Sequence, residues 1–324
     1  MAGGRRDETG VGEFGRWLAG VGAAVGAAAV AGALLAACAP PAGGPVGPPG
    51  AVYVVDPGAG GIVRADPQTG QAIGRPMPGG RAPWQAVAGP RDGLLVLSAP
   101  VGVQELTQVI RAGPGWAARP VPVAPGMRGA VLGGDGDRYA ALAYRPASAD
   151  AGGPTGCRLA LLDLDVGAVV RTHDVCGPGE AVRDVALAAT ASGPVAYLSL
   201  WRGAAAGAGE AGGWRPDGRG RVVALAAETG RVLAVHAPAG VPDRLLLGPA
   251  PGGGGRRVYY LETALPPPDG LEAWRLVGLD AATLTRERNF ALPDPPHSPV
   301  LAPDGARLYA LAADAGGGRG ADRG

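Results

Sequence analysis

Short apolar runs, each preceded by a polar or glycine-bearing turn, recur along this chain. Val52-Tyr53-Val54-Val55 is the first, and Leu94-Leu95-Val96-Leu97 follows the turn Pro90-Arg91-Asp92-Gly93. Tyr139-Ala140-Ala141-Leu142 follows Gly134-Asp135-Gly136-Asp137, and Val195-Ala196-Tyr197-Leu198 follows Ala191-Ser192-Gly193. The last two are Val258-Tyr259-Tyr260-Leu261, after a glycine run, and Leu308-Tyr309-Ala310-Leu311, after Pro303-Asp304-Gly305. Continuous apolar runs this short, bounded by turn residues, predict the short strands of a many-turned β protein.

A second element sits between them: a strand, a turn of the form Asp-x-x-Thr-Gly, and another strand. Ile62-Val63-Arg64-Ala65-Asp66 leads to Thr69-Gly70, and Leu159-Ala160-Leu161-Leu162-Asp163 leads to Val166-Gly167 and Val169-Val170. Val222-Val223-Ala224-Leu225 leads to Thr229-Gly230 and Val232-Leu233. Leu276-Val277-Gly278-Leu279-Asp280 leads to Thr283-Leu284, where the glycine has been lost. The copy expected near 105–123 is degenerate, running through Val109-Ile110 to Val121-Pro122-Val123. Asp66, Asp163 and Asp280 are placed to bond the turn backbone, and glycine suits the left-handed position.

Four short antiparallel strands per repeat, with a period of about 40 to 60 residues, predict an all-β fold: a β-propeller of about five to six four-stranded blades over 51–313. The repeats resemble the YVTN-type and quinoprotein-like (WD40-like) bacterial propellers, whose blades carry similar Asp-Gly-x-x-Leu-Tyr-x-Leu and Leu-Asp-x-x-Thr-Gly signatures. That resemblance implies architecture rather than activity, because propellers host many functions. The first Tyr-bearing strand lacks a preceding strand and the last lacks a following hairpin. Either C-terminal strands complete the first blade, or the ring is incomplete.

The N-terminal region has a different pattern. No charge occurs from Trp17 to Ala37, after a segment containing Arg5, Arg6 and Arg16, and the run closes on Leu35-Ala36-Ala37-Cys38. This order matches an export signal, and the closing residues resemble a bacterial lipobox. The resemblance implies a signal peptide at 1–37, a diacylglyceryl group on Cys38, and a protein held by lipid on the extracytoplasmic face of the cell membrane. An uncleaved anchor is the competing reading, since ~20 apolar residues can span a bilayer; free secretion is a third. The Ala and Gly content of the run makes it weakly hydrophobic, and no basic residue follows it. Residues 38–50 then read as the lipidated cysteine and a Pro/Gly linker, and 314–324 as a disordered tail.

Charge is balanced, with a formal net of +1, and every Lys+Arg residue is Arg. A balanced chain has no polyanion-binding footprint, so nucleic acid is not an expected partner. With Cys38 lipidated, Cys157 and Cys176 remain, an even number suited to an oxidising compartment. The turn Asp165-Val166-Gly167 lies midway between them, so hairpin pairing brings them within a residue or two of register, which predicts a disulfide.

Catalytic signatures are sparse. His173, His236 and His297 fall in different repeats, and no nucleophile elbow, zinc motif, phosphate loop or dinucleotide fingerprint stands in the right context. No catalytic or metal-binding residue and no cofactor beyond the lipid on Cys38 is assigned. The expected role is a non-catalytic, monomeric scaffold binding envelope proteins or glycans. The alternative is a propeller enzyme, either a quinone-dependent dehydrogenase or a lactonase-like hydrolase.

The longest inserts, 146–156, 202–220 and 264–273, all fall between the second and third strands of a repeat, and therefore on one face. Trp84, Trp201, Trp214 and Trp274, with Arg202, Arg215 and Arg219, are expected on that face. Trp and Arg are the residue types enriched at binding hot spots.

Overall fold

The computed structural model describes 34–36 and, with breaks in the loops, 52–311. The signal and linker residues outside 34–36, Asp66, Thr69, Gly70, Gly252 to Gly255, most of the inserts 146–156 and 264–273, and the tail 314–324 lie outside the described residues. Among the described residues the secondary structure is strand, bridge and turn, and no helix is long and apolar enough to cross a membrane.

The strands form six antiparallel sheets. The first contains Leu34–Ala36 (β1), Val52–Asp56 (β2), Gly61–Ala65 (β3) and Met77–Pro78 (β4); the second contains Pro83–Ala88 (β5), Leu94–Ser98 (β6), Glu105–Ala112 (β7) and Gly115–Pro120 (β8). The third runs through Arg128–Gly134 (β9), Tyr139–Arg145 (β10), Arg158–Asp163 (β11) and Ala168–Asp174 (β12). The fourth holds Glu180–Thr190 (β13), Gly193–Ala205 (β14), Trp214–Ala226 (β15) and Val232–His236 (β16). The fifth is Val241–Pro249 (β17), Arg256–Thr263 (β18), Trp274–Asp280 (β19) and Arg286–Leu292 (β20); the sixth pairs His297–Leu301 (β21) with Leu308–Leu311 (β22).

Inside each sheet, neighbours in sequence are neighbours in space. The first strands β5, β9, β13, β17 and β21 neighbour one another in succession, and β21 and β5 both meet β1. This is a closed β-propeller with the first strand of each blade innermost. The C-terminal strands form a sheet of their own beside the first blade. Leu34–Ala36, at the end of the run read as an export signal, supplies the inner strand of that first blade, Leu35 opposite Val54.

The unbroken apolar runs follow from this stacking. Among the described residues, the second and third strands of the second to fifth blades are covered on both faces by neighbouring blades. In β10, Ala140, Leu142 and Tyr144 enter the core shared with the second blade, while Ala141 and Ala143 enter the core shared with the fourth. Successive side chains alternate in face, yet both faces are buried, so the period-2 polar positions vanish. Further apolar clusters fill the seams between the fourth and fifth, first and second, and fifth and sixth blades. A fully buried Leu or Val in such a seam contributes roughly 1.5–3 kcal/mol. The outer strands have one face to solvent, and β20 is mostly exposed and rich in charge.

The Asp-bearing turns perform two tasks. Asp163 accepts from the backbone N–H groups of Asp165 (3.0 Å) and Val166 (3.3 Å), and Asp280 from those of Ala282 (3.0 Å) and Thr283 (2.8 Å). The carbonyl one residue after that position also receives a donor from the preceding blade. Leu164 accepts from Gln108 Nε2 at 2.8 Å, Ala227 from His173 Nε2 at 2.9 Å and Ala281 from Tyr197 Oη at 3.0 Å. Where glycine is lost, Leu284 adopts the same left-handed conformation (φ 55°). Its side chain is buried in the seam between the fourth and fifth blades, and that burial offsets the backbone strain of ~1–2 kcal/mol.

Candidate ligand-binding site

One irregularity repeats around the ring. Between Pro83 and Gln85 the inner strand β5 carries one residue more than its partner β6, and that residue is Trp84. Between Val182 and Asp184 the extra residue in β13 is Arg183. The inner strands β9, β17 and β21 each carry one extra residue at the corresponding end, across Arg128–Val131, Pro242–Leu245 and His297–Val300. A bulge takes a side chain out of the pleat and re-aims it. Here the bulges lie at the start of each inner strand, beside the end of the second strand. They ring the mouth on the face where the second strand passes to the third.

A cavity of about 320 Å³ opens there, lined by Trp84, Gln104, Arg145, Cys157, Arg183 and Trp201 among others. The Arg183 guanidinium lies 4.9 Å from the centroid of the Trp201 ring, a cation–π arrangement, and its Nε bonds Asp243 at 2.6 Å. Half exposed, that ion pair contributes little stability by itself; its effect is to hold the guanidinium against the indole. Trp201 Nε1 donates to the carbonyl of Pro242, which also accepts from Ser199 Oγ at 2.8 Å. Two side chains of the fourth blade are thereby anchored on the fifth.

On the other wall, Gly129 is in the left-handed region (φ 55°), and a Cβ there would sit 3.6 Å from Arg145 Nη2. The exposed Arg145 guanidinium therefore lies close over the backbone of β9. Cys157 is bonded to Cys176 across the hairpin, with Cα atoms 5.0 Å apart. Arg158 pairs with Asp174, so the two cysteines are one residue out of register, and the predicted bridge is present. It fixes the start of β11 to the segment leaving β12 at the cavity wall.

Below the mouth, Asp184 is fully enclosed in the seam between the fourth and fifth blades. It accepts from the N–H groups of Leu245 (2.8 Å) and Val185 (3.0 Å). Desolvation pushes its carboxyl up to about 6, against the opposing pull of Arg244 and these two N–H donors.

Of the residues expected on this face, Trp84 and Trp201 line one cavity. Arg202 is exposed beside Trp201, opposite both Glu180 and Arg219 in register. Arg219 is exposed and already engaged. Much of the 202–220 insert is not a loop: it extends the β14–β15 hairpin, placing Trp214 opposite Ala205 and Arg215 opposite Ala204. Trp274 starts β19 and packs with Tyr259 and Leu261 in the seam toward the sixth blade, away from the cavity. Arg145, Arg183 and Gln104 were not singled out in the sequence, because their placement comes from strand register and from the bulges. His173 and His236 bond Ala227 and Tyr260 in seams of the ring. Among the described residues no group of three or more His, Cys, Asp or Glu side chains could hold a metal ion.

No protein-family model matches the chain, and no curated protein matches it. Solved structures do resemble it. Hydrazine synthase of Kuenenia stuttgartiensis aligns over 80% of this chain and 69% of its own, at 15% identity and a TM-score of 0.53. A β-propeller domain from Myceliophteria thermophila (Swd1) aligns over 82% and 77%, at 11% identity and a TM-score of 0.49. A structure described as a TolB of Agrobacterium tumefaciens aligns over 75% and 78%, at 11% identity and a TM-score of 0.47. At these identities the likeness concerns fold alone.

Proposed function

We propose that this chain is a lipid-anchored, extracytoplasmic β-propeller that binds an envelope partner, without catalysis, on the face where the second strands meet the third. The observation that carries the binding role is the convergence of Trp84 and Arg183, both from bulges, with Trp201 on one cavity. Non-catalytic binding is supported by the chemistry of the lining. Its polar side chains include the guanidinium groups of Arg145 and Arg183 and the amide of Gln104, and such groups do not exchange protons near neutral pH.

The location is supported by the lipobox-like Leu35-Ala36-Ala37-Cys38 and by a disulfide suited to an oxidising compartment. Cleavage before Cys38 would remove Leu34–Ala36 from the first blade, so that inner strand and a processed lipoprotein exclude one another. Intact mass of the membrane-extracted protein decides between them. A mature N-terminus at Cys38 bearing diacylglycerol, lost together with membrane retention in Cys38→Ala, is the expected result. An unprocessed N-terminus, or Cys38→Ala retained in the membrane, overturns the lipoprotein reading. For the binding role, crosslinking in intact cells is expected to capture a partner with the unaltered chain and not with Trp84→Ala/Trp201→Ala. Unchanged capture by that variant overturns it.

A further inference from the structure

The inner edge of β9 at the cavity is closed to a further strand. Gln85 Nε2 donates to the Leu132 carbonyl at 2.6 Å, the Leu132 N–H donates to Gln85 Oε1 at 2.9 Å, and the Ala130 N–H donates to Gln104 Oε1 at 2.8 Å. Two glutamines of the second blade thus take the backbone groups that an extended peptide would need for strand addition.

What remains for a ligand is side-chain chemistry, and nearly all of it donates. The Arg145 guanidinium is exposed and has no hydrogen-bond or ion partner among the described residues. Gln104 keeps its Nε2 amide group, and Arg183 keeps the N–H groups that Asp243 does not take. Two carboxylates beside the mouth are occupied, Asp243 by Arg183 and Glu180 by a bidentate contact with Arg221 (2.8 and 2.7 Å), while Glu105, next to Gln104 in the chain, is exposed and lies outside the cavity lining. A ligand rich in acceptors and negatively charged matches this set, and guanidinium binds carboxylate through paired N–H donors.

The apolar complement is flat. Trp84 is 45% exposed, and Trp201 stands partly exposed across the cavity with Arg183 against its ring. A volume of about 320 Å³ is at the lower end for small-molecule sites, roughly 300–1,000 Å³, and suits a few rings rather than a folded domain.

We infer that this cavity binds an acidic saccharide, its carboxylate on Arg145 and a ring face against Trp84 or Trp201. The inference rests on the binding role proposed for this face and names the ligand class.

The test is titration of the full-length protein with trigalacturonate, maltotriose and triaspartate, read by tryptophan fluorescence and calorimetry. Trigalacturonate is expected to saturate, with maltotriose and triaspartate each at least tenfold weaker. Arg145→Gln is expected to weaken trigalacturonate at least tenfold, and Trp84→Ala to weaken it severalfold, both with an unchanged thermal midpoint. Arg231→Gln, on a turn at the opposite end of the blade, is expected to bind as the unaltered protein does. Equal binding of maltotriose, preference for triaspartate, or an Arg145→Gln variant that binds normally overturns the assignment. Loss of the crosslinked partner in Trp84→Ala/Trp201→Ala, with no trigalacturonate binding by the unaltered protein, overturns the saccharide while leaving the binding face in place.

Discussion

The imidazole of His173, in the outer strand of the third blade, donates from Nε2 to the carbonyl of Ala227 in a turn of the fourth blade at 2.9 Å. The contact is one of three at the same turn position, the others joining Gln108 to Leu164 and Tyr197 to Ala281. Three different side chains, from three different strands, reach an equivalent carbonyl in the next blade. The turn is thus a docking point between blades as well as the end of a hairpin.

Gly230 lies beside this contact with φ 72°, and a Cβ built on it would fall 2.6 Å from His173 Nδ1. Gly230→Ala is expected to cost about 2–3 kcal/mol, from left-handed strain of ~1–2 kcal/mol plus the disturbed hydrogen bond, ~1 kcal/mol. Gly74 has a similar φ of 78° with nothing within 4 Å, so Gly74→Ala should show the backbone cost alone. Urea unfolding of both variants checks the difference, and equal losses would remove His173 from the account.

Tyr197→Phe removes one hydroxyl and leaves the Ala281 carbonyl without its donor. A loss of about 1 kcal/mol is expected, with little change in packing because the ring stays in place. A Tyr197→Leu variant should lose more, since it also removes ring volume from the seam. Thermal midpoints measured at one pH separate the two.

The Cys157–Cys176 bridge closes a sequence separation of 19 residues. Reduction, or the double change Cys157→Ala/Cys176→Ala, is expected to lower stability by ~3 kcal/mol in the chain-entropy model. The double variant should then be insensitive to reductant. Unfolding curves with and without dithiothreitol provide the measurement.

Asp184 gives the protein a pH dependence of definite sign. Its carboxyl is raised from 3.8 to about 6 by desolvation, so the folded state binds its proton more tightly than the unfolded chain does. The stability that this proton confers is fully present below pH 3.8 and is lost as pH rises through 6. The shift corresponds to about 3 kcal/mol at 1.36 kcal/mol per unit. Relative to Asp184→Asn, the unaltered protein is expected to gain stability on acidification between pH 6 and pH 4. Asp163 and Asp280 are shifted the other way, and their contribution is lost below the ordinary carboxylate range. A difference between unaltered protein and Asp184→Asn that stays constant from pH 4 to 8 would exclude Asp184 as the source.

Strands, turns and their repetition were legible in the chain because they follow from local rules. Runs such as Leu94-Leu95-Val96-Leu97 are buried on both faces, so hydrophobicity alone marks them, and Asp163 and Asp280 bond their own turns within three residues. The Cys157–Cys176 pair was legible for the same reason, since a short hairpin converts spacing into register. Tertiary structure alone decided the rest. The contacts of Gln108, His173 and Tyr197 link residues 54 to 84 positions apart, and no local pattern specifies them. Trp84 and Trp201 could be assigned to one face, but Arg183 joins them through a bulge, which appears only when two strands are paired and one proves a residue longer, and Arg145 and Gln104 join them through the stacking of neighbouring blades. A binding surface gathered from three neighbouring blades is a property of how the blades stack, and that stacking is set by contacts far apart in the sequence.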